Sequence, residues 1–290
     1  MKERPEIIDR QPAVAGQFYP AQPDKLQHEI QELFATAEPR HFKNVRAIIS
    51  PHAGYVFSGL VAASTFNQID PEQNFRHVFI LASSHHENIH GASVYCDGDY
   101  MMPFGRVKVD TNLGQHLVED HPDLFNDNPR PHLHEHSLEV QLPFLNYVLD
   151  CEYSIVPIIL GAPDHHLCEA MAKALQPFFI EKNLFIVSSD FCHYPDYTDA
   201  KKLDEETKNA ILSNDPGELR NTLRSHVLEK VPGLVTSLCG WTSVLTLMYL
   251  TQNDPSLEYH AVIYRNSGDT PHYEDMERVV GYWGIVVCSK

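Results

Sequence analysis

No Cys-x-x-Cys pair occurs among the six cysteines Cys96, Cys151, Cys168, Cys192, Cys239 and Cys288. That spacing argues against both a zinc ribbon and a disulfide framework, and most of the six read as small core side chains. Long apolar runs are also missing, so no membrane-spanning helix is expected. Basic residues are scarce: 22 Lys and Arg face 39 Asp and Glu, for a formal net charge of -17. Such a surface repels phosphate backbones, which makes nucleic acid and anionic membrane poor candidate partners. There is no G-x-S-x-G elbow, no P-loop and no G-x-G-x-x-G, which disfavours a hydrolase triad, an NTPase and a dinucleotide site. Repeats, low-complexity stretches and Gly/Ser linkers are absent too. The opening Met1-Lys2-Glu3-Arg4-Pro5-Glu6 carries both signs of charge and lacks the apolar segment of a secretory signal, so a cytoplasmic location is expected.

What remains is an ordinary globular composition, 43% hydrophobic and 21% charged, in 290 residues. One domain spanning residues 1–290 is expected, since one sheet with covering helices can bury a full core at this length. The runs Arg46 to Ile49, Val78 to Leu81, Ser154 to Leu160 and Leu184 to Val187 are near-continuous apolar segments of strand length. They predict central strands covered on both faces. Tyr259 to Tyr264 and Gly281 to Cys288, rich in Val, Ile and aromatics, predict further strands with an antiparallel arrangement near the end. Amphipathic spacing predicts helices over Asp24 to Ala37, Val61 to Ile69, Thr111 to Glu119, His136 to Leu149, His165 to Phe179, Asp204 to Leu212, Pro216 to Ser225 and Gly240 to Leu250. Pro143 should kink the fourth of these or shift its boundary. The Pro-rich stretch Asp120 to Pro131 reads as a surface loop. The alternation of helices and strands is that of an α/β fold.

Polar chemistry follows each central strand: Ser50-Pro51-His52-Ala53-Gly54-Tyr55, Ser83-Ser84-His85-His86 and Ser188-Ser189-Asp190-Phe191-Cys192-His193. In α/β sheets ligands bind outside the carboxyl ends of strands, so these three ends are expected to share a cleft. A single histidine there reads most simply as a loop cap, but His52 and His85 at two equivalent ends suit a divalent metal. The third ligand is open on residue types alone. Asp190 would complete a two-His-one-carboxylate set, Glu135 and Glu139 compete, and Cys239 could be a thiolate at a helix start or simply a buried thiol. In His132-Leu133-His134-Glu135-His136-Ser137-Leu138-Glu139, His132 and His134 read as solvated surface residues. Glu135 and His136 read as supporting or substrate-contact residues, with Ser137 starting the helix.

Six segments together carry a family resemblance: Ala15-Gly16-Gln17-Phe18-Tyr19-Pro20, Pro51-His52-Ala53-Gly54-Tyr55, Ser84-His85-His86, Glu135-His136-Ser137-Leu138-Glu139, Ser188-Ser189-Asp190-Phe191-Cys192-His193 and Cys239-Gly240. In this order, across nearly the whole chain, they resemble the Memo family. The resemblance implies a three-layer α/β/α fold with a central mostly parallel or mixed sheet, similar to class III extradiol dioxygenases. It implies His52, His85 and Cys239 as metal ligands, with Asp190 and His193 as catalytic pocket residues and His193 in the general acid/base position. His86, Glu135 and His136 would support the metal or line the substrate pocket. The implied cofactor is iron or copper, with zinc as a further candidate, because a thiolate shifts preference toward softer metals. The bacterial branch implies partners from a radical-SAM system. The expected function is a metal-dependent redox or oxygen-using enzyme acting on an unknown small molecule. The competing expectations are a peptide- or partner-binding module using the same cleft and a zinc hydrolase.

Overall fold

Strand residues alternate between two apolar surfaces, and that alternation builds the architecture. In the computed structural model, which describes residues 8–161, 164–271, 273 and 275–290, the strands are β1 (Val45–Ser50), β2 (His77–Ser83), β3 (Ala92–Val94), β4 (Tyr100–Met102), β5 (Gly105–Val107), β6 (Phe125–Asn126), β7 (Ser154–Leu160), β8 (Asn183–Ser188), β9 (Leu257–Asn266) and β10 (Gly281–Ser289). Eight of them form a mixed sheet in the order β6-β3-β7-β2-β8-β1-β10-β9, and β4 pairs β5 as a separate ribbon. The centre β7-β2-β8-β1 is parallel, whereas β10 and β9 add antiparallel at one side.

Ala47, Ile49, Phe79, Leu81, Phe185 and Val187 face one core, packed by the helices His165–Leu175 and Trp241–Thr251. Their strand neighbours Ile48, Val78, Ile80, Leu184 and Ile186 face the other, packed by the helices Pro23–Ala35, Tyr55–Phe66 and Leu142–Val148. Each buried aliphatic or Phe side chain contributes about 1.5–3 kcal/mol. A one-residue slip would exchange the two faces, so register is tightly fixed. The large mixed sheet flanked by helices is the α/β arrangement expected from the sequence. Among the described residues, no helix is long and apolar enough to cross a membrane.

Three local expectations need correction. His136 to Leu149 is two helices, His136–Glu139 and Leu142–Val148, because Pro143 occupies the first turn of the second instead of kinking one continuous helix. The Asp120 to Pro131 stretch is not merely a surface loop: it contains β6, whose Phe125 is fully buried. The helix predicted from Asp204 begins at Tyr197, where the Asp196 side chain accepts from the Asp199 N–H and caps it.

Asp204 is buried beneath β10, accepting from the Cys192 N–H at 2.9 Å and the Tyr264 hydroxyl at 2.9 Å. Burial raises its carboxyl from 3.8 to about 6 despite these donors. The proton is therefore held more tightly in the folded chain than in the unfolded one. Its stabilising contribution is complete below pH ~4 and is lost as pH rises to ~6, a change of about 3 kcal/mol. An asparagine at this position would keep the acceptor for Cys192 and could donate to Tyr264, so Asp204→Asn should gain stability relative to the parent across that window. Denaturant midpoints at pH 4 and 7 measure this; a parent-variant difference that does not change with pH contradicts it.

Candidate metal centre

His52, His85 and Asp190 each lie two residues beyond the last residue of a parallel strand, β1, β2 and β8 respectively. Because β8 lies between β1 and β2, the two histidines converge over it, and their ring centroids are 5.0 Å apart. The segment carrying Cys239 is fastened to the same place. The His193 N–H donates to the Thr236 carbonyl, the Val235 N–H to the His193 carbonyl, and the Cys239 N–H to the Asp190 carbonyl at 3.0 Å. Gly240 then allows a close approach, since a Cβ there would stand 2.5 Å from the Ser188 carbonyl oxygen.

Hydrogen bonds fix which imidazole nitrogens face the cleft. Ser188 Oγ donates to the Ser137 carbonyl at 2.6 Å, so its lone pairs accept from Gln141 Nε2 at 3.0 Å and from His52 Nδ1 at 3.0 Å. His52 thus carries its proton on Nδ1 and leaves Nε2 free. His85 Nδ1 lies 2.8 Å from Glu135 Oε1, and the His85 N–H donates to Glu135 Oε2 at 2.7 Å. His85 Nε2 accordingly points to Cys239 Sγ, at 2.9 Å.

Burial pushes the Cys239 thiol up, but the nearby His193, His52 and His85 imidazoles outweigh it and lower it to about 4. Burial also lowers His52 to about 4, leaving it neutral at pH 7. His85 is opposed by burial but raised to about 10 by Cys239 and Glu135. Burial raises Asp190, whose Oδ1 accepts from the His52 N–H at 2.7 Å. Burial lowers His193, but Cys239 and Asp190 raise it more. His193 Nε2 lies 3.9 Å from Asp190 Oδ2 and has no hydrogen-bond partner.

His136 also enters the cluster. The nearest ligand atoms of His52, His85 and His136 lie within 4.8 Å of one another. Burial lowers His136 to about 4, which keeps it neutral. His86 remains exposed at the rim, its ring centroid 6.2 Å from that of His136. His52, His85, His136, Asp190 and His193 all border one cavity of about 320 Å³, whose wall includes Phe18 and Phe57.

The surroundings correct other sequence expectations. His132 is fully buried, its Nδ1 2.9 Å from the Tyr100 hydroxyl, while His134 is exposed as expected. Glu135, rather than Ser137, caps the helix His136–Glu139 by accepting from the Ser137 N–H. Glu139 is not available to a metal: it pairs with buried Arg10 and accepts from Tyr19 and from the Ala13 and Val14 N–H groups. Arg10 also donates to the His132 carbonyl at 3.0 Å and the Glu135 carbonyl at 2.7 Å, which fixes the backbone beside His85's carboxylate partner. Nothing in the local sequence pattern singles out Arg10 for this role.

The donor set fits a divalent cation: a neutral imidazole with Nε2 free, a second imidazole oriented by a carboxylate, and a thiolate. Ionised Glu135 supports it; burial raises this carboxyl, but His85 holds it well below the usual carboxylate range. Glu135→Gln would replace the anionic acceptor with a neutral amide and should weaken metal affinity about 10–100-fold with the fold retained. Competition titration against a chromophoric chelator measures the change. Equal affinity in parent and variant contradicts this role for Glu135.

Fold and cluster together define a mixed α/β protein with a metal-capable group at the carboxyl ends of neighbouring parallel strands. The model of the family described as Memo-like protein matches residues 10–286, and the chain belongs to that family. A MEMO1 family protein of Methanosarcina barkeri is 34% identical over 283 residues, covering 96% of this chain and 99% of the relative. A second, from Thermoplasma acidophilum, is 32% identical over 283 residues, covering 96% and 98%. The solved structure of uncharacterized protein JW3007 from Escherichia coli K12 aligns with 83% of this chain and 98% of that chain at 13% identity and a TM-score of 0.49, which bears on neither site nor activity.

Proposed function

We propose that His52, His85 and Cys239 hold a single iron or copper ion and that the protein is a metal-dependent redox or oxygen-using enzyme. The observation that carries this reading is the 2.9 Å approach of His85 Nε2 to Cys239 Sγ, with the thiol lowered to about 4. Zinc is the redox-inert alternative, and His136 is the next donor to the ligand set.

When bound, the metal supplies one-electron redox chemistry and Lewis acidity. The chain's own residues do the rest. Phe18 and Phe57 give the cavity apolar walls that limit water around a bound substrate. Asp190 orients His52 through its backbone N–H and stands beside His193. His193, which lines the cavity beside Asp190, takes up or delivers the substrate proton.

Metal analysis of protein purified without added metal, followed by oxygen-uptake measurements with candidate reductants, tests the proposal. Bound iron or copper with turnover is the expected result. His193→Ala should keep the metal and lose turnover by about 10²–10⁴-fold. Metal-free protein that cannot be loaded contradicts the centre, whereas loaded protein without turnover across broad screening favours a binding module.

A further inference from the structure

A second concave site lies on the reverse of the segment that carries Cys239. One wall is a single face of the helix Pro216–Glu229, where Arg220, Leu223, Arg224 and Val227 recur at helical spacing. The opposite wall is Val235, Leu238 and Trp241, at the start of the helix Trp241–Thr251. The groove encloses about 440 Å³, the size of a small-molecule site. Its apolar surface continues onto exposed side chains: Val227 and Val235 are 75% and 72% exposed. Isolated exposed aliphatics need no explanation, but these two flank one groove.

The charge of this groove departs from that of the chain. With a formal net charge of -17, the protein still places two guanidiniums here, accompanied by His165 and one carboxylate, Asp164. Asp164 is engaged as a helix cap, accepting from the His166 N–H at 2.5 Å. Among the described residues, the arginine ion pairs involve Arg10, Arg40, Arg106 and Arg130; Arg220 and Arg224 take part in none. Two exposed guanidiniums one helical turn apart can chelate a carboxylate, and the aliphatic and indole walls can bury an attached apolar body.

We propose that this groove is a ligand site, separate from the metal centre, for a small amphipathic acid: an apolar chain or ring ending in a carboxylate. Trp241 forms its wall and the guanidiniums its anion clamp. The ligand would touch Thr236, Ser237 and Leu238, directly before Cys239, so its binding contacts the backbone that sets the thiolate.

The test uses decanoate as probe and 1-decanol as its uncharged counterpart, both below their aggregation concentrations. The chain has two tryptophans, Trp241 and Trp283, and a Trp283→Phe background isolates the signal of Trp241. Decanoate should change Trp241 emission saturably, and 1-decanol should bind at least tenfold more weakly. Arg220→Gln and Arg224→Gln, at exposed helix positions that leave folding intact, should each weaken decanoate about tenfold. Isothermal titration calorimetry provides a readout independent of fluorescence. The absence of saturable decanoate binding, equal binding of 1-decanol, or undiminished affinity in the double arginine variant overturns the proposal.

Discussion

Cys239→Ser should lose metal by more than the roughly 10–100-fold expected for removing a supporting partner, because it removes the anionic ligand itself. Serine preserves size, but its hydroxyl stays protonated where the thiol is a thiolate. The matched control is Cys192→Ser. Cys192 is fully buried, its Sγ lies 3.9 Å from the Ala200 carbonyl, and burial pushes its thiol far up, so it stays protonated and offers a cation little. Metal content should therefore be near that of the parent in Cys192→Ser. Cys239→Asp places a hard carboxylate at the same corner and should favour iron over copper relative to the parent. Metal content and competition affinities under reducing conditions, with folding checked by circular dichroism, distinguish the three. If Cys239→Ser binds as tightly as the parent, His136 or Asp190 must supply the third donor.

Arg10→Met should be the most destabilising of the substitutions considered. Both side chains of the Arg10–Glu139 pair are wholly inaccessible, and the pair joins the N-terminal segment to a helix 129 residues away. Breaking a buried pair by removing one partner costs about 3–5 kcal/mol, because the remaining charge loses its compensation. The midpoint of thermal unfolding should fall by on the order of 10 °C. Arg10→Met/Glu139→Leu should cost less than the sum of the single changes, as the double variant strands no charge. Arg10→Met also releases the carbonyls of His132 and Glu135, so metal affinity should drop along with stability. Additive stability losses with unaltered metal affinity contradict the network.

The legible part of the fold was its interior. The runs that became β1, β2, β7 and β8 have helices over both faces, so their residues are apolar almost without interruption and stand out in the sequence. β3 and β6, three and two residues long, carry too few side chains to establish a period, and tertiary pairing alone makes them strands. The break between Glu139 and Leu142 was signalled by Pro143, whose position in a first turn could be distinguished from a kink only by the packing. In the site, strand-end position gave His52, His85 and Asp190. Cys239 depended on the family resemblance, since a cysteine before an apolar helix is usually a core thiol. The sequence suggests a supporting role for His136, and its nearest ligand atom lies within 4.8 Å of those of His52 and His85. Ser188, Gln141 and Arg10, which orient the cluster, act through contacts across 47 to 136 residues of chain, and no local spacing encodes these.

Metal binding by Cys239 together with His52 and His85 is tested most directly by cobalt(II) substitution. Thiolate ligation to cobalt(II) produces a near-ultraviolet charge-transfer absorption that imidazole and carboxylate ligands do not. The parent should develop this absorption and saturate at one equivalent of cobalt. Cys239→Ser should lack it, and His52→Ala and His85→Ala should require far more cobalt to reach it. Tight, stoichiometric cobalt binding by the parent without the absorption, or an equal absorption in Cys239→Ser, would contradict the proposed centre.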